Sequence, residues 1–200
     1  MEKNYTKLII ELSKKLYKKI NFQVIHPETL IPYGFRPHTR SVSWLAEQII
    51  SQNLKKNYKE YGLESFNESE TDISVWDFKM KFKDEKQELF INSKITRTTQ
   101  KKQKNDMSSI KKLVKFFEDN KNAKLYYLIF PFDFKGELGN QVIFGENIIC
   151  GEYIKMKDFY LNPRNEHLQA YYDVENVERD YDKFLELIYT KQKKGKKIFI

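Results

Sequence analysis

A chain of 200 residues with 40% hydrophobic content can close one core and is too short for two large ones, so one domain over 1–200 is expected. Its 36 Lys plus Arg against 28 Asp plus Glu give a formal charge of +8, a balance that suits a polyanionic partner and equally a merely soluble surface. A lone Cys150 excludes an internal disulfide and a multi-cysteine zinc site, the His residues at 26, 38 and 167 lack ligand spacing, and the absence of P-loop or Rossmann glycines argues against a nucleotide cofactor.

Between residues 4 and 20, Leu8, Ile9, Leu12 and Leu16 recur at helical spacing, with Lys on the other face. This predicts an amphipathic helix within 1–20 that packs internally or in a dimer interface. The charged start of the chain runs into this helix, so neither a signal peptide nor a membrane span is expected and the protein reads as cytoplasmic. Residues 21–40 hold Pro27, Pro32, Gly34 and Pro37 and read as a loop, in which Arg36 and Arg40 are candidate DNA contacts. A second helix is predicted from Ser41 to Tyr58, burying Val42, Leu45, Ile49 and Leu54. Glu47 lies beside that stripe, as a solvated carboxylate or as part of a metal site. Leu63 to Thr71 is rich in Glu, Ser and Asn and reads as a loop.

From Trp76 to Phe82 the even positions Trp76, Phe78, Met80 and Phe82 are apolar while Asp77, Lys79 and Lys81 are charged, the period of a half-buried strand. Asp77 then faces away from the core. Asp84, Glu85 and Lys86 form the turn. On the return strand Leu89, Ile91 and Ile95 mark the buried side, which puts Asn92 and Lys94 on the opposite face. The hairpin therefore predicts that Asp77, Asn92 and Lys94 converge on an exposed face. Asp72, farther from Lys94, is the second choice of carboxylate.

Thr96 to Asn105 contains no apolar residue. Its Arg97, Thr98, Thr99, Gln100, Lys101, Lys104 and Asn105 offer donors to phosphates and base edges, and so read as DNA contacts ahead of plain solvated charge. A helix from Ser108 to Asp119, with Ile110, Leu113, Val114 and Phe117 on one stripe, has a Ser-rich start suited to a phosphate. Leu125 to Phe132, ended by Pro131 and polar residues, predicts a central strand covered on both faces, with shorter strands near Val142 to Phe144 and Ile148 to Met156. Asn162 to Gln169 reads as a polar loop, either an ordinary turn or a base-reading segment through Asn162, Arg164, Asn165 and Gln169. Tyr181, Phe184, Leu185 and Ile188 mark a last helix, followed by a basic tail at 191–200.

The pairing of Asp77 with Asn92-Ser93-Lys94 on the adjoining strand resembles the metal site of the PD-(D/E)xK nuclease superfamily, and the flanking segments extend that resemblance. Ser41 to Glu47 is similar to the helix that supplies an extra Glu in many type II restriction endonucleases, Arg97 to Ser109 to a basic DNA-approaching loop, and Tyr160 to Pro163 with Gln169 to a late DNA-facing segment. The resemblance implies an α/β (α+β) fold with a restriction-endonuclease-like core, a mixed central sheet flanked by helices. It further implies a homodimeric bacterial enzyme that uses Mg²⁺ to hydrolyse double-stranded DNA at a short A/T-rich palindrome. Asp77 and Asn92 become the metal ligands, Lys94 the water-orienting group and Glu47 an accessory acid. One departure stands out: Asn92 occupies the place of the usual Asp or Glu, and an amide oxygen binds a hard cation without bringing charge. That weakens the expected activity. It reads as an engineered knock-out or as a natural variant, the former favoured. A non-catalytic DNA-binding module and a structure-specific repair nuclease are the rival readings.

Overall fold

The computed structural model describes residues 4–20, 22–23, 39–71, 74–98, 104–135 and 141–196. Helix α1 (Tyr5–Tyr17) begins where the Asn4 side chain accepts the Lys7 N–H, and it buries Ile9, Leu12 and Leu16 at the expected spacing. Those residues pack inside the protein, in one core with Ile50 and Leu54 of α2 (Thr39–Asn57). Ile50 and the expected Leu54 carry the packing of α2, Ile49 is only partly buried, and the side chains of Val42 and Leu45 lie outside the described residues. A two-residue strand β1 (Phe22–Gln23) occurs within the segment read as a loop.

Leu63–Glu68 is a strand, β2, and not the expected loop. Leu63 and Phe66 are buried against β3 (Phe78–Phe82), and a register shift between Leu63 and Ser65 breaks the alternation that would have revealed the strand. β3 pairs antiparallel with β4 (Glu88–Arg97), and Phe78, Met80, Phe82, Leu89, Ile91 and Ile95 share one core as the period of two predicts. Trp76 departs from that pattern. It precedes β3 and packs edge-on against Phe90, 5.5 Å between ring centroids, in the core on the other side of the sheet.

The chain next makes β5 (Asn105–Ser109) and α3 (Ile110–Asp119), then returns as β6 (Lys124–Lys135), parallel to β4. α3 starts at Ile110, whose N–H donates to the Glu166 carbonyl at 2.9 Å, so part of its N-terminus is already engaged. β6 is buried from Leu125 to Phe132 and does not end at Pro131. Pro131 falls between the stretch paired with β8 (Ile149–Glu152) and the stretch paired with β7 (Gln141–Phe144), where a missing N–H breaks no ladder bond on that edge. The seven-stranded sheet runs β1-β7-β6-β4-β3-β2, with β8 also on β6.

A single-turn helix (Tyr153–Lys155) follows β8. Asn162 to Gln169 is a hairpin rather than a loop: β9 (Tyr160–Asn162) and β10 (His167–Ala170) join β5 in a separate three-stranded sheet, order β5-β10-β9. These strands are short and outwardly polar, and only their burial of Met107, Leu161, Leu168 and Ala170 gives them a partner. α4 (Tyr181–Lys196) buries Phe184 and Ile188 and extends as helix through most of the expected basic tail. The result is a mixed sheet with α1 and α2 on one face and α3, α4 and the small sheet on the other. Among the described residues no helix is long and apolar enough to cross a membrane.

Candidate active site

Asp77 sits directly before β3, where the ladder to β4 ends. Its N–H donates to the Ile91 carbonyl at 2.8 Å, but the next amide along β4, that of Ser93, donates to the Asp77 carboxylate at 2.5 Å, and the Ser93 hydroxyl adds a bond of 2.9 Å to the same oxygen. A side chain thus replaces a ladder carbonyl and is fixed by two donors, while Asp77 itself stays exposed.

Asn92 corrects the expectation of an exposed hairpin face. It is 5% exposed, its Nδ2 donates to the Val75 carbonyl at 2.7 Å, and its Oδ1 is buried with no hydrogen-bond partner. The segment carrying Val75 and Trp76 belongs to the second core and covers that side of β4. Lys94, one step further along the same face, is half-buried.

Glu47, on α2, completes the group. Burial and then the negative charge of Asp77 push its carboxyl up to about 7, against the opposing pull of Lys94. Glu47 therefore lies within electrostatic reach of both Asp77 and Lys94, although the three come from a helix, a pre-strand segment and a strand. A polar cleft of about 300 Å³ opens here, lined by Glu47, Ser51, Thr71, Asp77 and Ser93. Glu68, also in its wall, is committed to Ser51, Gln52 and Lys55. Tyrosines back the acids: Tyr153 is fully buried and donates to the Met107 carbonyl at 3.0 Å, and burial together with Glu47 and Asp106 pushes the Tyr172 phenol up to about 12.

The oxygen donors here fit a hard divalent cation, with one shortfall. Glu47 and Asp77 bring oxygens to the cleft wall, while the orphaned Asn92 Oδ1, a neutral oxygen, is buried and not among the lining residues, and among the described residues no three His, Cys, Asp or Glu side chains gather as a metal cage.

The expected DNA contacts are distributed unevenly. Arg36, Thr99, Gln100 and Lys101, like Asp72, lie outside the described residues, as does the side chain of Arg40. Arg97 pairs with Asp133 at 3.2 Å and lies over the Phe134 ring, and the Thr98 hydroxyl also donates to Asp133. Lys104 stands over the Tyr160 ring, next to Asn105 at the start of β5. Asn162 caps the hairpin turn by accepting the Arg164 N–H, Arg164 is exposed at the tip, and Asn165 and Gln169 both donate to Asp106. The Ser93 side chain as a donor to Asp77, the Asp106 carboxylate as an acceptor and Tyr172 are roles that the sequence reading does not assign. Only tertiary packing brings Tyr172 within electrostatic reach of both Glu47 and Asp106, whereas the small polar Ser93 on an otherwise apolar strand side is a visible signal in the sequence.

A larger cleft, about 460 Å³, lies away from this group between α4 and the edge of β6. Its cations are occupied: Lys155 by Glu178, Lys183 by Asp180, and Arg179 by the carbonyls of Ile154 and Met156.

No family model matches the chain, and no curated protein matches it by sequence. Among solved structures it is similar to the NlaIV restriction endonuclease, with a TM-score of 0.50 and 14% identity over 78% of this chain. The chain spans 60% of the length of that structure. At this identity the likeness concerns backbone architecture, and together with the mixed sheet and its flanking helices it gives the chain a restriction-endonuclease-like fold.

Proposed function

We propose that the chain is a type II site-specific deoxyribonuclease that hydrolyses phosphodiester bonds in double-stranded DNA, weakened by Asn92. The observation that carries this reading is the pairing of Glu47 and Asp77, acids from two separate elements, in the wall of one polar cleft, with the Lys94 cation acting on Glu47, in a restriction-endonuclease-like fold. Asp77 and Asn92, with Glu47 beside them, would hold Mg²⁺, whose role when bound is to activate water and neutralise charge on the phosphate. The protein's own part is positioning. Ser93 fixes the Asp77 carboxylate with two hydrogen bonds, and Lys94 keeps a positive group beside the acids to orient water and offset phosphate charge.

The formal charge of +8 supports a DNA partner, and cutting both strands of a palindrome calls for a twofold homodimer. The order of segments is similar to that of SwaI, which cuts an A/T-only site, so an A/T-rich palindrome is the proposed target. A second reading, a non-catalytic DNA-binding module, is favoured by the buried Asn92 amide, which is satisfied as a donor where a nuclease needs charge.

Digestion of a mixed-sequence plasmid with Mg²⁺, using the given chain and its Asn92→Asp variant, separates the readings. Discrete fragments support a restriction enzyme, a smear indicates a general or structure-specific nuclease, and shifted but uncut DNA from both proteins indicates binding alone. Asp77→Ala abolishes metal-dependent cleavage and leaves metal-free binding largely intact; cleavage that survives this change removes Asp77 from the site.

A further inference from the structure

The outward face of the β5-β10-β9 sheet carries an organised set of polar groups. Met107, Leu161, Leu168 and Ala170 point into the core, so alternation turns Asp106, Tyr160, Asn162, His167 and Gln169 outward. Register places Asp106 opposite Gln169 and Gln169 opposite Tyr160, one row across three strands. Tyr160 is 44% exposed with the Lys104 ammonium 5.0 Å from its ring centre. The half-exposed Asp106 carboxylate accepts from Gln169 Nε2 at 2.5 Å and Asn165 Nδ2 at 3.4 Å, and lies 3.4 Å from His167 Nδ1.

An ionised carboxylate only accepts, so it holds the N–H end of an amide and repels the oxygen end. Asn165 is held at both ends, because its Oδ1 also accepts the His167 N–H at 3.1 Å. Gln169 is held at one end and keeps a second N–H and its Oε1. A donor and an acceptor side by side, in a fixed order, match the N7 acceptor and N6 amino donor of adenine in the major groove. We infer that Asp106 is a positioning residue for base recognition, locking the Gln169 amide so that this sheet face reads adenine in duplex DNA.

The inference rests on the endonuclease reading and names the face that reads sequence. Two observations favour duplex DNA as the occupant. Lys104 and the exposed Arg164 flank the row with positive charge. Tyr172 feels the charges of both Glu47 and Asp106, which places Asp106 and the acid of α2 within electrostatic reach of one side chain. A carboxylate beside phosphates also repels them, and this separates the role of Asp106 from that of an ordinary DNA contact. Its removal lowers specificity while raising affinity for unrelated DNA.

The test is selection from a pool of randomised duplexes without metal, with sequencing of the bound fraction, for the given chain, Asp106→Asn, Asp106→Ala and Gln169→Ala. The given chain enriches a motif containing A·T pairs. Asp106→Ala and Gln169→Ala lose preference at the same base pair by about 10-fold, as one bidentate contact predicts. Asp106→Asn, which keeps one acceptor, falls between, and a variant combining Asp106→Ala with Gln169→Ala is no worse at that pair than Gln169→Ala alone. Both Asp106 variants bind an unrelated duplex at least as tightly as the given chain, a result that misfolding does not produce. An unchanged motif in Asp106→Ala, or a uniform loss of binding, overturns the inference and leaves the endonuclease reading standing. A given chain that binds no duplex, or binds without a motif, overturns both.

Discussion

Glu47 shows how a single residue reports on its surroundings. Its carboxyl, ordinarily near 4.5, is pushed to about 7 by burial and by Asp77, so the folded protein holds that proton more tightly than the unfolded chain does. The sign follows: Glu47 costs nothing below about pH 4.5, and the cost grows until the pH passes 7. Glu47→Gln should therefore melt higher than the given chain at pH 8 and equally at pH 4, a gap on the order of 1–2 kcal/mol after allowing for solvent screening. A constant gap across pH removes the burial argument. Asn92 yields the complementary expectation. Its Nδ2 donates to the Val75 carbonyl, so Asn92→Asp would set a buried carboxylate against that oxygen, costing about 1–3 kcal/mol without metal. Melting temperatures with and without Mg²⁺ check this: the Asp variant should recover stability with Mg²⁺ and the given chain much less. Equal responses would refute metal binding at position 92.

At the scale of elements, the three-stranded sheet depends on few anchors. Leu168 is fully buried in the core formed by α3 and α4, while Gln169 on the outward side of β10 donates to Asp106. Leu168→Ala should cost about 2–5 kcal/mol and loosen β5 and β10 before the main sheet. Amide hydrogen exchange reads this directly, with faster exchange at 105–109 and 167–170 and little change in β4 and β6. Uniform acceleration would mean that the small sheet is integral to the main core. The parallel β4–β6 pair has the opposite character, since β6 is buried over most of its length, β4 over half of it, and α3 must cross over to join them.

For the whole molecule, charge makes the broadest prediction. The net +8 residues act on any duplex, so affinity for an arbitrary duplex should fall steeply as salt rises, and Lys104→Ala should lower the slope of log affinity against log salt by about 1. A slope unchanged by that substitution places Lys104 away from phosphate. Much of the architecture follows from the sequence alone. Periods of 3.6 and 2 are local, so α1, α2, α4, the β3–β4 pair and the buried β6 can be read from spacing, and with them the placing of Asp77 and Lys94. The resemblance drawn from those residues also anticipated the fold class that the comparison supports. Other features needed tertiary partners. β2 hides behind a bulge, and β5, β9 and β10 are too short and polar to show a period without the core they cover. Burial of Asn92 depends on the Val75 segment closing over β4, and the approach of Glu47 to Asp77 depends on how α2 crosses the sheet. Residue spacing says which way a side chain faces along its own element; what it meets there is decided by contacts between elements far apart in the chain.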